Sequence, residues 1–353
     1  MNDFHVPVID ISAYTGESAE GERDAVARQV DAAARDVGFI QLTGHGIATD
    51  TWDGLADALD AFFLRDLETK KRVVTPPEVN RGYSPPKSER LSLSLGVESA
   101  TGMNDFFEAF NIGAQASDFP SLALPEADYP QNVWPEETQD AMASFRGNLE
   151  RWFAEAQRVA ETLTVIFEDA LDVPRGTITG LADHSIDVLR TINYALDPGQ
   201  TVELDGELTG MGEHTDYGIV TVLWADRVAG LQVLGEDGGW HDVLPEPGAL
   251  LVNLGDVTAR LTNDRWRSTL HRVRPPVVNG TIMRRRSAAF FHDGNVDAVV
   301  GPLPGMVDDD HPARYEPMTV GEHVSRKLGG SRSLESNSAD TSRESGRVLA
   351  SRR

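Results

Sequence analysis

After Pro174 the chain changes character. Short runs rich in β-branched and aromatic residues, at 188–194, 217–224, 230–234, 239–243, 249–253, 268–274 and 284–291, alternate with turns built from Gly, Pro and Asp. No such run can bury an apolar face by itself. At this spacing the runs predict a sandwich or barrel, and jelly rolls and cupins are the variety that carries metal sites inside.

The first half reads differently. Glu20 to Val37 sets Val26, Val30, Ala33 and Val37 at helical spacing, and Gly38 stops it. Thr51 to Thr69 predicts a second helix, with Trp52, Leu55, Leu59, Phe62 and Phe63 on its apolar side. Glu136 to Leu171 predicts one long helix, with Met142, Phe145, Leu149, Trp152, Phe153, Val159, Leu163 and Phe167 along one face. Short strands are expected at Val6–Ile11 and Phe39–Leu42, the latter followed by a turn at Gly44-His45-Gly46.

The expected fold is therefore α+β with a mainly β core: a double-stranded β-helix (jelly roll, cupin-like) with flanking helices and an N-terminal α/β cap. The expected units are a cap over 1–135, the long helix plus jelly-roll core over 136–325, and a tail over 326–353. The tail's Gly, Ser and Arg content, with few large apolar residues, predicts disorder.

Composition narrows the function. A chain of 353 residues with 40% hydrophobic content can bury a sizeable core. No apolar run is long enough to span a bilayer, and the N-terminus lacks the basic and apolar blocks of a signal peptide. There is no cysteine, so a metal would be held by nitrogen and oxygen, and a cytoplasmic location is expected. A formal net charge of −24 repels phosphate backbones. The partner expected is a small-molecule substrate, with no nucleic acid and no membrane, for a monomer or weak homo-oligomer.

Three groups of residues carry candidate chemistry. His214-Thr215-Asp216 precedes a β-branched run, and on a strand residues i and i+2 share a face, so one imidazole and one carboxylate would project together. Alone, such a triplet is as easily two hydrogen-bonded residues. Among the histidines after Asp216, only His271 lies inside a clear strand pattern, Ser268 to Val273. Two histidines and one carboxylate on one face of a metal leave the other face open, as non-haem Fe(II) oxygenases require. The third group is Arg285-Arg286-Ser287: Arg285 and Ser287 share a strand face, and an inward guanidinium needs an anion. Its bland alternative is a solvated basic run at 284–286. No His-Glu-x-x-His glutamate accompanies the ligands, which argues against a zinc hydrolase.

In this order the motifs resemble the isopenicillin N synthase-like family of Fe(II)- and 2-oxoglutarate-dependent oxygenases, over nearly the whole length to about residue 325. Gly38 to Ile47, Arg81-Gly82-Tyr83 and Asn132 to Pro135 match in the cap. Gly230 to Val233, Pro247-Gly248-Ala249, Asn253 to Asp256 and Thr269 to Val273 match in the core. The resemblance implies Fe(II) on His214, Asp216 and His271. It implies 2-oxoglutarate held by Arg285 and Ser287, with Tyr194 and Asn193 nearby, and O2 as oxidant. It makes Asn253 to Asp256 a structural turn and His45 a structural residue. Arg81, Tyr83, Phe110, Leu231 and Phe291 are the expected substrate contacts. An isopenicillin N synthase-like oxidase that does not use 2-oxoglutarate and a catalytically silent binding protein remain alternatives at this point.

Overall fold

The structure is a computed structural model, and the residues it describes are 4–97, 105–136, 142, 144–195, 210–274, 277–278 and 281–334. Two sheets enclose the centre. The larger has eight strands in the order β1 (Val8–Asp10), β2 (Phe39–Thr43), β10 (Leu250–Leu254), β7 (Val220–Ala225), β14 (Arg285–His292), β5 (Val188–Tyr194), β4 (Glu108–Gly113) and β3 (Gly82–Ser84). The smaller runs β6 (Met211–His214), β11 (His271–Val273), β8 (Leu231–Leu234) and β9 (Trp240–Asp242). Two short pairs stand apart: β12 (Val277–Val278) with β13 (Thr281–Ile282), and β15 (Val299–Val300) with β16 (Met318–Thr319). In the larger sheet only β1 and β2 are parallel.

The large sheet is buried on both faces, which is why β5 and β10 read as nearly continuous apolar runs. Its outer face, with Leu189, Val222, Val252 and Phe290, packs on helices. Its inner face, with Phe39, Ile192, Tyr194 and Leu251, packs on Met211, Leu231, Val233 and Val273 of the small sheet.

The helical layer is α1 (Ser12–Thr15), α2 (Glu22–Asp36), α3 (Thr49–Phe63), α4 (Leu67–Lys71) and α5 (Phe145–Leu171). The helix expected over Thr51 to Thr69 is two, because Asp66 starts a new one: its Oδ1 accepts from Thr69 N at 2.9 Å. The 27 residues of α5 span roughly 40 Å at the ~1.5 Å rise of an α-helix. Its stripe of Leu149, Trp152, Val159, Leu163 and Ile166 is fully buried, and truncating such a Trp costs about 3–5 kcal/mol. Buried Glu168 ties down the chain beyond α5, accepting from the amides of Gly176, Ile178 and Thr179 at 3.1, 2.8 and 2.9 Å. That fixes the approach to β5.

The segment expected as the cap, 1–135, contributes strands to the large sheet: β1 and β2 extend one edge, and β3 and β4 extend the other. Residues 326–333, expected to be disordered, are helical. Helix α6 (Asp256–Leu261) precedes a last helix, α7, which runs Val320–Ser333. A capping box starts α7: Glu322 N donates to Thr319 Oγ1 at 3.1 Å, and Thr319 N donates to Glu322 Oε2 at 3.3 Å. Gly330 lets it lie flat on the 3-10 turn at Leu91–Leu95, for a Cβ there would meet Leu93 O at 2.6 Å. Lys327 Nζ pairs with Asp256 Oδ2 at 3.1 Å. Average composition hid a capped stripe with a close-approach glycine. Residues 335–353 of the expected tail lie outside the described residues.

Candidate active site

A cavity of about 100 Å³ lies between the two inner faces, with α7 across it. His214 ends β6 and His271 opens β11, and the two are register partners across the small sheet. Asp216 is not on a strand. It sits in the turn between β6 and β7, so the expected alternation of the triplet holds for placement but not for secondary structure.

That turn is clamped from below. Asp256 N donates to Asp216 O at 2.8 Å and Val257 N to Gly218 O at 3.0 Å. Gly255 lies so close that a Cβ would meet Gly218 O at 2.1 Å. The carboxylate itself is held by a register pair of the large sheet, Asn253 and Thr221. Asn253 Nδ2 and Thr221 Oγ1 donate to Asp216 Oδ2 at 2.7 and 2.5 Å, leaving Oδ1 turned toward the histidines.

Both imidazoles are oriented from behind. His214 Nδ1 donates to Gly212 O at 2.7 Å, and His271 Nδ1 to Thr269 O at 3.0 Å. A carbonyl can only accept, so each Nε2 carries the free lone pair. These Nε2 atoms lie 3.8 and 3.6 Å from Asp216 Oδ1. All three ligand atoms fall within 4.8 Å of one another, a group that can hold one metal ion.

The electrostatics suit a divalent cation. Burial pushes His214 well down, and the neighbouring His271 charge adds to this. Burial works to raise Asp216, but the two imidazoles and the hydrogen bonds from Thr221 and Asn253 outweigh it and hold the carboxyl below its usual range. A His214 imidazole that resists protonation beside an Asp216 carboxyl that resists it too favours metal binding.

Farther along the inner face, Arg285 is 2% exposed. Its Nη1 reaches Ser287 Oγ at 3.3 Å, its guanidinium stands over the Tyr194 ring at 5.4 Å, and its Nε is buried without a partner. Arg285 has no carboxylate partner among the described residues. A buried cation left in this state calls for an anion in the cavity.

The other expected contacts divide. Tyr194, Leu231 and Phe291 line the cavity. Asn193 does not: strand alternation turns it to the outer face, where its Nδ2 donates to Glu108 Oε1 and its Oδ1 accepts from Arg284 Nε, both at 2.8 Å. Arg81 is also set apart, its Nη1 and Nη2 donating to the Asn80 and Ala114 carbonyls at 2.8 and 2.7 Å. Tyr83 donates to Glu108 Oε2 at 2.5 Å, and its register partner Phe110 packs on Phe62 at 4.7 Å. These two belong to the helix-facing core. His45 is structural as expected, bonded to Gly248 O at 3.0 Å.

Several cavity residues lacked a sequence motif. Asn253, expected in a structural turn, lies on β10 and donates to Asp216. Arg190 shares the Tyr194 face of β5, and Asp293 follows Phe291 by two residues, so alternation from the expected contacts would have found both. Burial pushes the Asp293 carboxyl up to about 8, helped by the charges of Asp187 and Asp216. Glu89 and the α7 residues Val324, Leu328, Ser331 and Arg332 complete the wall.

A double-stranded β-helix that buries two imidazoles and a carboxylate around one point, beside an unpaired arginine, defines the non-haem metal oxygenase class. Comparison with known proteins agrees. Residues 6–137 match the family model described as non-haem dioxygenase in morphine synthesis N-terminal, and residues 185–294 match the 2OG-Fe(II) oxygenase superfamily. A 2-oxoglutarate-Fe(II) type oxidoreductase, hxnY, of Emericella nidulans is 32% identical over 321 residues, which is 90% of this chain and 88% of the relative. Gibberellin 20 oxidase 3 of Oryza sativa subsp. japonica is 31% identical over 332 residues, 92% of this chain and 82% of that one. The crystal structure of a full-length Neurospora crassa protein in complex with alpha-KG and thymine superposes with a TM-score of 0.78 at 26% identity, over 92% of this chain and 96% of that one. The chain belongs to the 2OG-Fe(II) oxygenase superfamily and is a non-haem iron, 2-oxoglutarate-dependent dioxygenase. Its cofactors are those of the family: Fe(II), 2-oxoglutarate and O2.

Proposed function

We propose that His214, Asp216 and His271 hold the Fe(II), that Arg285 and Ser287 hold the far carboxylate of 2-oxoglutarate, and that the enzyme hydroxylates, desaturates or cyclises a small molecule at a C–H bond. The observation that carries this is the pairing, in one cavity, of a three-ligand cluster with a buried arginine that has no anionic partner among the described residues. Bound there, iron with 2-oxoglutarate and O2 supplies C–H oxidation, coupled to release of succinate and CO2 from the 2-oxoglutarate.

The protein's share is positioning and exclusion of water. Thr221 and Asn253 fix one carboxylate oxygen of Asp216 and aim the other. The Gly212 and Thr269 carbonyls fix the imidazole tautomers. Tyr194 gives the Arg285 guanidinium a ring to stand on, so the fork is pre-organised before the co-substrate arrives. Leu231, Phe291 and the α7 residues Val324 and Leu328 give the rest of the cavity an apolar wall.

We place the enzyme in the cytoplasm as a monomer or weak homo-oligomer, acting without nucleic acid or membrane. The absence of cysteine and the net charge of −24 support this, as does the lack, among the described residues, of a helix able to cross a membrane. The direct test of the ligand set is metal analysis. After anaerobic loading and desalting, His214→Ala and Asp216→Ala should each retain less than about a tenth of the wild-type iron, since loss of one of three ligands removes a covalent anchor. Both variants retaining full iron would overturn the assignment.

A further inference from the structure

The cavity holds a second cationic site that the iron and 2-oxoglutarate do not use. We propose that Arg332, with Arg190 beside it, forms a subsite for a carboxylate of the substrate, so that the enzyme acts on a small organic acid. This rests on the reading of the cavity given above and adds the class of molecule that enters it.

The first support is placement. On β14 the inward series is Arg285, Ser287, Ala289 and Phe291, and Arg190 on β5 pairs with Ala289. Arg190 is thus four residues along the sheet from the Arg285 row, roughly 13 Å at strand rise. The two arginine sites lie on one wall but too far apart to grip the same carboxylate. Arg332 comes from the opposite side. On α7, Val324, Leu328, Ser331 and Arg332 follow helical spacing and all line the cavity. The helix cannot swing away cheaply, since Gly330 is in close contact with the 3-10 turn and Arg90 N donates to Ser331 O at 2.9 Å.

The second support is charge. Arg190 Nη2 pairs with Glu89 Oε2 at 2.8 Å, so that arginine is neutralised. Arg332 is 8% exposed, and among the described residues it forms no ion pair and one hydrogen bond, to Asn80 Oδ1. Burial lowers its pKa, and although Glu89 acts the other way, Arg190 lowers it further. Arg81 lies near enough to be lowered by the Arg332 charge as well. Arg190 and Arg332 therefore meet one buried glutamate, Glu89, whose charge Arg190 already takes up. A monoanion fits this excess better than a phosphate group. Nearby Leu328, Val324 and Val188 leave room for an apolar body rather than a second charge.

The test uses full-length enzyme loaded anaerobically with Fe(II) and saturating 2-oxoglutarate, whose optical charge-transfer band reports the first site independently. Matched probes are then titrated by calorimetry: benzoate, phenylacetate and 4-phenylbutyrate, each against its primary amide. One charge-assisted hydrogen bond is worth about tenfold or more in affinity, so at least one acid should outbind its amide by ~10-fold. Arg332→Gln should erase that preference while leaving the charge-transfer band and its 2-oxoglutarate dependence unchanged. Arg332→Lys should restore part of it, which a purely structural role for the side chain would not predict. Acids and amides binding alike, neither binding, or a preference that survives in Arg332→Gln would overturn the subsite. Loss of the band in wild type would instead overturn the iron and 2-oxoglutarate reading.

Discussion

Replacing Arg285 by Gln should weaken 2-oxoglutarate binding and strengthen the empty protein. The two effects have one cause. Arg285 is 2% exposed, and among the described residues its guanidinium bonds only to Ser287 Oγ, at 3.3 Å, with Nε buried and unpartnered. An uncompensated buried charge costs about 3–5 kcal/mol relative to its paired state. The Tyr194 ring returns about 1 kcal/mol of that, and a neutral amide of smaller volume gives up some packing. The metal-free variant should therefore be about 1–2 kcal/mol more stable than wild type in urea unfolding. With the co-substrate present the balance reverses. A fork-to-carboxylate pair contributes about 3 kcal/mol, so the dissociation constant for 2-oxoglutarate should rise by roughly 100-fold. Calorimetry on anaerobic iron-loaded protein measures the second effect. A variant that binds 2-oxoglutarate as tightly as wild type, or whose metal-free form is less stable, would refute the argument that Arg285 is an unpaired cation awaiting this anion.

Two further outcomes follow from the same geometry. Asn253→Ala removes the 2.7 Å bond to Asp216 Oδ2 and should lower iron affinity by about 10- to 100-fold without unfolding the chain, as read by competition with a calibrated chelator. Asp293 has a folded-state pKa raised to about 8 from the ordinary 3.8, so the folded form keeps a proton that the unfolded chain releases. Its contribution is thus fully present below about pH 4 and is lost as pH rises to about 8. Asp293→Asn should flatten the stability profile of the metal-free protein across that window and gain up to ~5 kcal/mol at its upper end; parallel profiles for wild type and variant would contradict this.

The chain showed its strands and its ligands well, because both rest on local patterns. The runs at 188–194, 249–253 and 284–291 lie within a residue or so of β5, β10 and β14. His271 stood out because it lay between apolar strand residues. What failed was non-local. Asn193 and Tyr194 are adjacent, and one step along a strand sends one to Glu108 and the other into the cavity; no motif fixes that step without the register of β5 against β14. Arg81 was expected at the substrate, but its guanidinium is taken up by the Asn80 and Ala114 carbonyls. The N-terminal strands joined the large sheet through pairings such as Leu251 with Gln41, more than two hundred residues apart. Helix α7 was hidden by composition, although Thr319 and Glu322 carried its start signal.

Everything proposed for the site depends on one cavity binding Fe(II) through His214, Asp216 and His271 and 2-oxoglutarate through Arg285. Anaerobic optical titration probes that pairing in a single experiment. Adding 2-oxoglutarate to the iron-loaded full-length protein should raise a charge-transfer band that saturates at one 2-oxoglutarate per iron. The band should be absent in Asp216→Ala and should require far more 2-oxoglutarate in Arg285→Gln. A wild-type protein that holds iron yet gives no band, or an Asp216→Ala variant that gives the same band, would contradict the assignment.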